Sequence, residues 1–213
     1  MGIKNSIREI KKQVPKGIEI IAATKKRTTE EIMQALKAGI SVIGENYVQE
    51  AEEKFSLLGK KARFHLIGHL QTNKAKKAVS IFDMIQTVDS EKLAMEIDKQ
   101  CSKIKKLMPV LIEVNIGKEK NKSGCLPEDV ERIAHKISTL KNLRLRGIMA
   151  MAPYFRSPEK ARPYFRKARQ LFDRLKSAYH LDILSMGMSG SYKIAVEEGA
   201  TMVRIGTAIF GNR

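Results

Sequence analysis

Ile18-Glu19-Ile20-Ile21-Ala22-Ala23-Thr24 is an apolar run closed by Lys25, and Thr28-Thr29-Glu30-Glu31 follows almost at once. The run reads as a buried strand, and Thr followed by acidic residues reads as the start of a helix. The same unit recurs along the chain. Apolar runs fall at 18–24, 41–46, 63–68, 84–89, 109–116, 143–151, 183–188 and 202–207, which makes eight. Amphipathic stretches such as 29–38, 91–104, 128–140 and 158–179 lie between them. Strands alternating with helices call for a parallel sheet. Eight such units can close into a barrel in which the last strand pairs with the first. An open doubly wound sheet is the competitor, but no Gly-x-Gly-x-x-Gly follows the first strand. The expected fold class is therefore α/β, a single-domain (β/α)8 TIM barrel over residues 1–213. An amphipathic segment at 3–14 is expected to plug or cap the barrel floor. The polar, glycine-bounded stretch 117–124 reads as a mobile loop at the rim, and 153–158 as another.

Composition narrows the class. A chain of 213 residues with 43% hydrophobic residues suits one large domain with a sizeable core. A run of about 18 apolar residues would suggest a membrane span, and none occurs. The N-terminus lacks the apolar segment of a signal peptide, and its Gly2 and Ser6 match only the bare myristoylation pattern. Two cysteines, Cys101 and Cys125, make no disulfide framework, so a reducing cytoplasm is the expected compartment. The net charge of +17 is the compositional outlier. Such a surface attracts nucleic acid, anionic lipid or phosphorylated ligands without specificity. Lysines keeping amphipathic helices in solution are the favoured reading, since the scattered aromatics do not suit a single-strand binder.

The ends of the first and last runs carry chemistry. In a barrel of this kind the C-terminal ends of the strands hold the functional groups. A lysine set there against apolar walls can lose its proton and attack an aldehyde. Met202-Val203-Arg204-Ile205-Gly206-Thr207 ends in a turn whose backbone amides can hold a phosphate. A carbonyl-seeking lysine beside a phosphate nest suggests pyridoxal 5'-phosphate. His65 and His69 share the i, i+4 spacing of a zinc helix, but Gly68 and Leu66-Ile67 put them at a strand end, and no Glu follows the first. No metal site is expected.

Further pieces carry a family likeness. They are Ala23-Thr24-Lys25, Gly44-Glu45-Asn46-Tyr47-Val48-Gln49-Glu50, His65-Leu66-Ile67-Gly68-His69-Leu70-Gln71-Thr72-Asn73-Lys74 and Lys122-Ser123-Gly124. Arg146-Gly147-Ile148-Met149-Ala150-Met151, Ser185-Met186-Gly187-Met188-Ser189 and the stretch from Val203 to Gly211 continue the series in order. Together they resemble the pyridoxal phosphate homeostasis proteins, which share the barrel of the alanine racemase N-terminal domain. By this resemblance Lys25 forms the internal aldimine, with Lys26 turned to the opposite side by strand alternation. Arg204 faces the pyridine nitrogen, and as a permanent donor it leaves that nitrogen unprotonated. The phosphate sits on the amides of Gly206 and Thr207, helped by the Thr207 hydroxyl and Ser189. Asn46 lies beside the cofactor. Read alone, Gly206-Thr207 is a strand-ending turn, and Ser189 and Asn46 are helix caps. Met149 and Met151 are candidates for the pocket wall, or for core filling. Tyr47 is a rim residue without an assigned role. Ser191 stands where many relatives carry an acidic residue.

The resemblance implies a protein that carries or buffers the cofactor through a lysine Schiff base and supports vitamin B6 and amino-acid homeostasis. It implies no established turnover. The expected partners are the cofactor, amino acids and transient acceptor enzymes that depend on it, with no specific nucleic acid and no membrane, and the protein is expected to be a monomer. Two alternatives stand beside it. A racemase needs an acid/base on each face of the cofactor; alanine racemase takes its second base, a tyrosine, from a C-terminal domain, which this chain is expected to lack. A nonspecific RNA binder would use the basic surface, but no module motif is present.

Overall fold

The computed structural model describes residues 2–212. Strands β1 (Glu19–Ala23), β2 (Val42–Glu45), β3 (Arg63–Leu66), β4 (Met84–Val88), β5 (Met108–Val114), β6 (Leu143–Ala150), β7 (Ile183–Ser185) and β8 (Met202–Ile205) form a closed barrel in chain order. All pairs are parallel, and Ile21 of β1 lies opposite Val42 of β2 on one side and Arg204 of β8 on the other. Each strand lies within one of the eight apolar runs, give or take a residue. Helices α1 (Ile3–Gln13), α2 (Thr29–Lys37), α3 (Val48–Leu58), α4 (Ala75–Ile81), α5 (Glu91–Lys103), α6 (Val130–Ser138), α7 (Arg162–Tyr179), α8 (Tyr192–Glu197) and α9 (Thr207–Phe210) alternate with the strands. The Thr28 signal is a full capping box: Thr28 Oγ1 accepts from the Glu31 amide, and the Glu31 carboxylate accepts from the Thr28 amide.

Strand alternation divides the apolar residues between two cores. Ile21, Val42, Met84, Leu111, Met149, Ile183 and Met202 point inward and fill the lower barrel. Ala22, Ile43, Ile85, Ile112, Ile148, Val203 and Ile205 point outward against the helices. A methyl at Gly147 would lie 1.7 Å from the Ile183 carbonyl oxygen, so only glycine lets β6 approach β7 at that register.

The N-terminal helix does not close the floor. It lies in the outer layer against α2 and α9, with Ile7, Ile10 and Val14 buried there. Burying an aliphatic side chain contributes about 1.5–3 kcal/mol, so this face outweighs the floor as a place for the helix. The Lys11 ammonium then reaches the carbonyls of Ala38 (3.1 Å) and Gly39 (2.8 Å) at the end of α2. The 117–124 loop is fastened at its base. Asn115 donates to the Glu119 carbonyl at 2.8 Å and accepts its amide at 3.1 Å, and Val114 bridges Cys125.

Candidate functional site

At the C-terminal mouth of the barrel lies a cavity of roughly 390 Å³, within the ~300–1,000 Å³ typical of small-molecule sites. Lys25, Asn46, Ser189, Arg204, Gly206 and Thr207 all line it. They come from the first two and the last two strands, and closure of β8 on β1 brings these together.

Lys25 sits on the turn after β1, two residues on from inward-facing Ala23, and its ammonium lies 5.2 Å from the centre of the Tyr47 ring. Lys26 is exposed and turned away, held at φ +58 rather than by strand alternation, with its amide donating to the Glu50 carboxylate. Behind the turn stands a buried cluster that the sequence reading did not foresee. Lys54 of α3 donates to the Thr24 carbonyl (2.6 Å), Glu45 Oε1 (2.7 Å) and Glu50 Oε1 (2.7 Å). Thr24 Oγ1 donates to the same Glu45 oxygen at 2.5 Å. One ammonium thus ties the ends of β1 and β2 to α3. Burial pushes the Glu45 carboxyl above its usual range, while Lys54 and Thr24 pull it back.

Arg204 points inward and is 4% exposed. Its guanidinium donates to Ser185 Oγ (2.6 Å) and the Ala150 carbonyl (3.1 Å). Burial lowers its pKa to about 10, with the Glu113 charge opposing, so it stays charged at neutral pH. Ser185 donates onward to Gln86 (2.8 Å), whose amide nitrogen lies 3.1 Å from His65 Nδ1. Burial and the Arg63 charge hold His65 down to about 3, so it is a neutral member of this chain. Glu113 of β5 is 3% exposed with Oε2 unpartnered among the described residues, and burial, helped by Asp89, pushes it up to about 7.

On the opposite wall Ser189 Oγ accepts the amides of Gly206 (3.0 Å) and Ala208 (3.2 Å). These two amides converge on one oxygen; Ala208 was not among the expected residues, and the Thr207 amide is not one of the pair. Ser189 is not the cap of its own following helix; Ser191 precedes α8, and its hydroxyl accepts the Met188 amide at 3.3 Å. Asn46 follows β2, one residue ahead of the α3 cap Tyr47, and Gly68 packs onto it. A methyl on Gly68 would fall 2.3 Å from the Asn46 carbonyl oxygen. Met151 lines the cavity, but Met149 belongs to the inner core beneath it. His69 lies on the outer surface, 3.3 Å from Asp89, in surroundings unlike those of His65.

The residues missed by the sequence reading share a signal. Glu45, Gln86 and Glu113 are polar residues inside apolar runs, and buried polar groups need a reason.

A profile of the alanine racemase N-terminal domain matches residues 2–213. The pyridoxal phosphate homeostasis protein of Aquifex aeolicus (strain VF5) is 41% identical over 198 residues, covering 92% of this chain and 87% of that protein. PipY of Synechococcus elongatus PCC7942, solved with PLP bound, superposes with a TM-score of 0.90 at 34% identity, covering 98% of this chain and all of PipY. Alanine racemase of Clostridium difficile 630 shares the fold, with a TM-score of 0.85 at 16% identity over 100% of this chain and 60% of the racemase. On the profile and the long relatives alike, the chain belongs to the pyridoxal phosphate homeostasis protein family.

Proposed function

We propose that the chain binds pyridoxal 5'-phosphate in the mouth cavity and carries or buffers it, supporting vitamin B6 and amino-acid homeostasis without turnover of its own. The observation that carries this reading is the meeting, in one cavity, of an amine, a buried guanidinium and converging backbone amides. That donor set fits an aldehyde, a pyridine nitrogen and a phosphate. When bound, the cofactor supplies an aldehyde that condenses reversibly with primary amines. Lys25 is the amine that holds it, and an incoming amino acid or an acceptor lysine can take Lys25's place. Gly206, Thr207 and Ser189 would hold the phosphate, and Asn46 would lie beside the cofactor. Arg204 would donate to the ring nitrogen, and because a guanidinium keeps its proton, that nitrogen would stay unprotonated. The ring is then a weak electron sink, which favours holding the cofactor over carbon chemistry.

The test is the visible spectrum of the purified protein after incubation with the cofactor, then borohydride reduction and peptide mass mapping. A reduced adduct on Lys25, lost in Lys25→Ala, is the expected result. Adducts confined to outer lysines such as Lys26 or Lys120 would overturn the proposal.

A further inference from the structure

The barrel floor, opposite the mouth, carries a second feature. Three strand-entry segments there, 57–63, 102–108 and 139–144, hold eight Lys and Arg residues and no Asp or Glu. They lead into β3, β5 and β6, so they form one arc of the floor. Three carboxylates border the arc: Asp83, which accepts the Phe64 amide at 2.8 Å, Glu19, paired with Arg63, and Asp98, which accepts from Asn142, so eight cationic side chains face three anionic ones. Among the described residues Lys60, Lys61, Lys105 and Lys141 form no ion pair, and all four are exposed.

Lysines in the last turn of a helix are ordinary, since they meet the negative end of its dipole. That accounts for Lys103 but not for what lies between the charges. Leu57, Ile104 and Leu107 are 65%, 49% and 56% exposed, on the same arc. The turn bearing Ile104 and Leu107 is fastened: the Lys106 amide bonds the Cys101 carbonyl at 3.0 Å, and the Lys106 ammonium bonds the carbonyls of Val79 (2.8 Å) and Phe82 (2.7 Å). Their exposure is built into an ordered turn.

We infer that this arc docks on an anionic lipid surface. Lysines over lipid phosphates supply the attraction, and the three aliphatic side chains enter the headgroup boundary. A nucleic-acid backbone would satisfy the charges and leave the aliphatic residues in water, and no exposed aromatic residue stands on the arc for stacking bases. Docking in this way points the cofactor mouth away from the membrane, open for exchange.

The experiment is sedimentation with vesicles of pure phosphatidylcholine or of phosphatidylcholine with phosphatidylserine, using the full chain and two double variants. Binding is expected on the anionic vesicles only. Lys105→Gln/Lys141→Gln should weaken it about fivefold per charge. Ile104→Ser/Leu107→Ser should weaken it at low salt and abolish the residue of binding that persists at about 1 M salt, where charge is screened. All substitutions are on the exposed floor, and an unchanged unfolding midpoint checks the fold. No binding to anionic vesicles overturns the inference. So does equal retention on polyanionic RNA with no effect of Ile104→Ser/Leu107→Ser.

Discussion

Replacing Lys54 by Met tests the cluster behind Lys25. Met matches the aliphatic stem, so the change deletes one ammonium and little volume. Three acceptors lose their donor: the Thr24 carbonyl, Glu45 and Glu50. Glu45 suffers most, because it is fully buried and its second oxygen already has no partner among the described residues. Removing one member of a buried pair costs about 3–5 kcal/mol when the remaining charge cannot escape. Glu45 can escape by taking a proton. From an ordinary value of 4.5, holding that proton near pH 7 costs about 3.4 kcal/mol, which caps the loss. For a chain of this size, about 3 kcal/mol lowers the melting temperature by about 6–12 °C. The loss should shrink by about 1.4 kcal/mol per pH unit as the solution approaches pH 5, because protonation becomes cheaper. Urea denaturation at several pH values reads this directly, and Glu45→Gln/Lys54→Met should recover most of it. A loss under about 1 kcal/mol, or one that does not change with pH, would refute the claim that the ammonium compensates Glu45. The same variant should bind pyridoxal 5'-phosphate more weakly, since the Lys25 turn loses its tether.

Burial lifts Glu113 to about 7, above the ordinary 4.5. The folded chain then keeps a proton the unfolded chain releases, so this group's contribution is complete below about pH 4.5 and is lost as pH rises through about 7. Glu113→Gln should remove that slope and gain up to about 3 kcal/mol near pH 8, read by urea melts across pH. Gly68→Ala should cost about 1–3 kcal/mol through its clash with Asn46 and weaken cofactor binding together with stability, as titration and thermal melts would show. Ser189→Ala removes the acceptor of two amides, and the cofactor-free protein should lose about 1–3 kcal/mol, with a smaller loss once phosphate or cofactor occupies the mouth.

The fold was legible because the strands carry two kinds of mark. Their residues are apolar on both faces, as parallel barrel strands must be, and a helix start follows soon after several of them. The outer-layer position of α1, where the floor was expected, was not legible. Periodicity shows that Ile7 and Ile10 share a face, but says nothing of which surface that face meets, and α9 is too short to fill the ring beside α2. Met149 illustrates the same limit in a strand. Alternation puts Met149 and Met151 on one side, yet a barrel interior has depth, so the lower residue is core and the upper one lines the cavity.

Of the six residues expected at the mouth, Lys25, Asn46, Gly206 and Thr207 stand just past strand ends, while Ser189 and Arg204 were named through the family likeness; the structure brings all six to one cavity. Their supports stand within or behind the strands, and only closure of the barrel joins them. Arg204 shows why they matter. A buried guanidinium among aliphatic neighbours would be costly without acceptors. Ser185 and the Ala150 carbonyl take two of its donors, and Gln86 and His65 extend the chain of bonds across the interior. Arg204 lines the cavity, and these two acceptors take only part of a group with five N–H donors, so the network fixes its direction without using it up. Substituting Gln86 by Leu should therefore leave Arg204 in place on Ser185 but free to tilt. The expected result is a small loss of stability and a larger loss of cofactor affinity; an unchanged affinity would assign the network to packing alone.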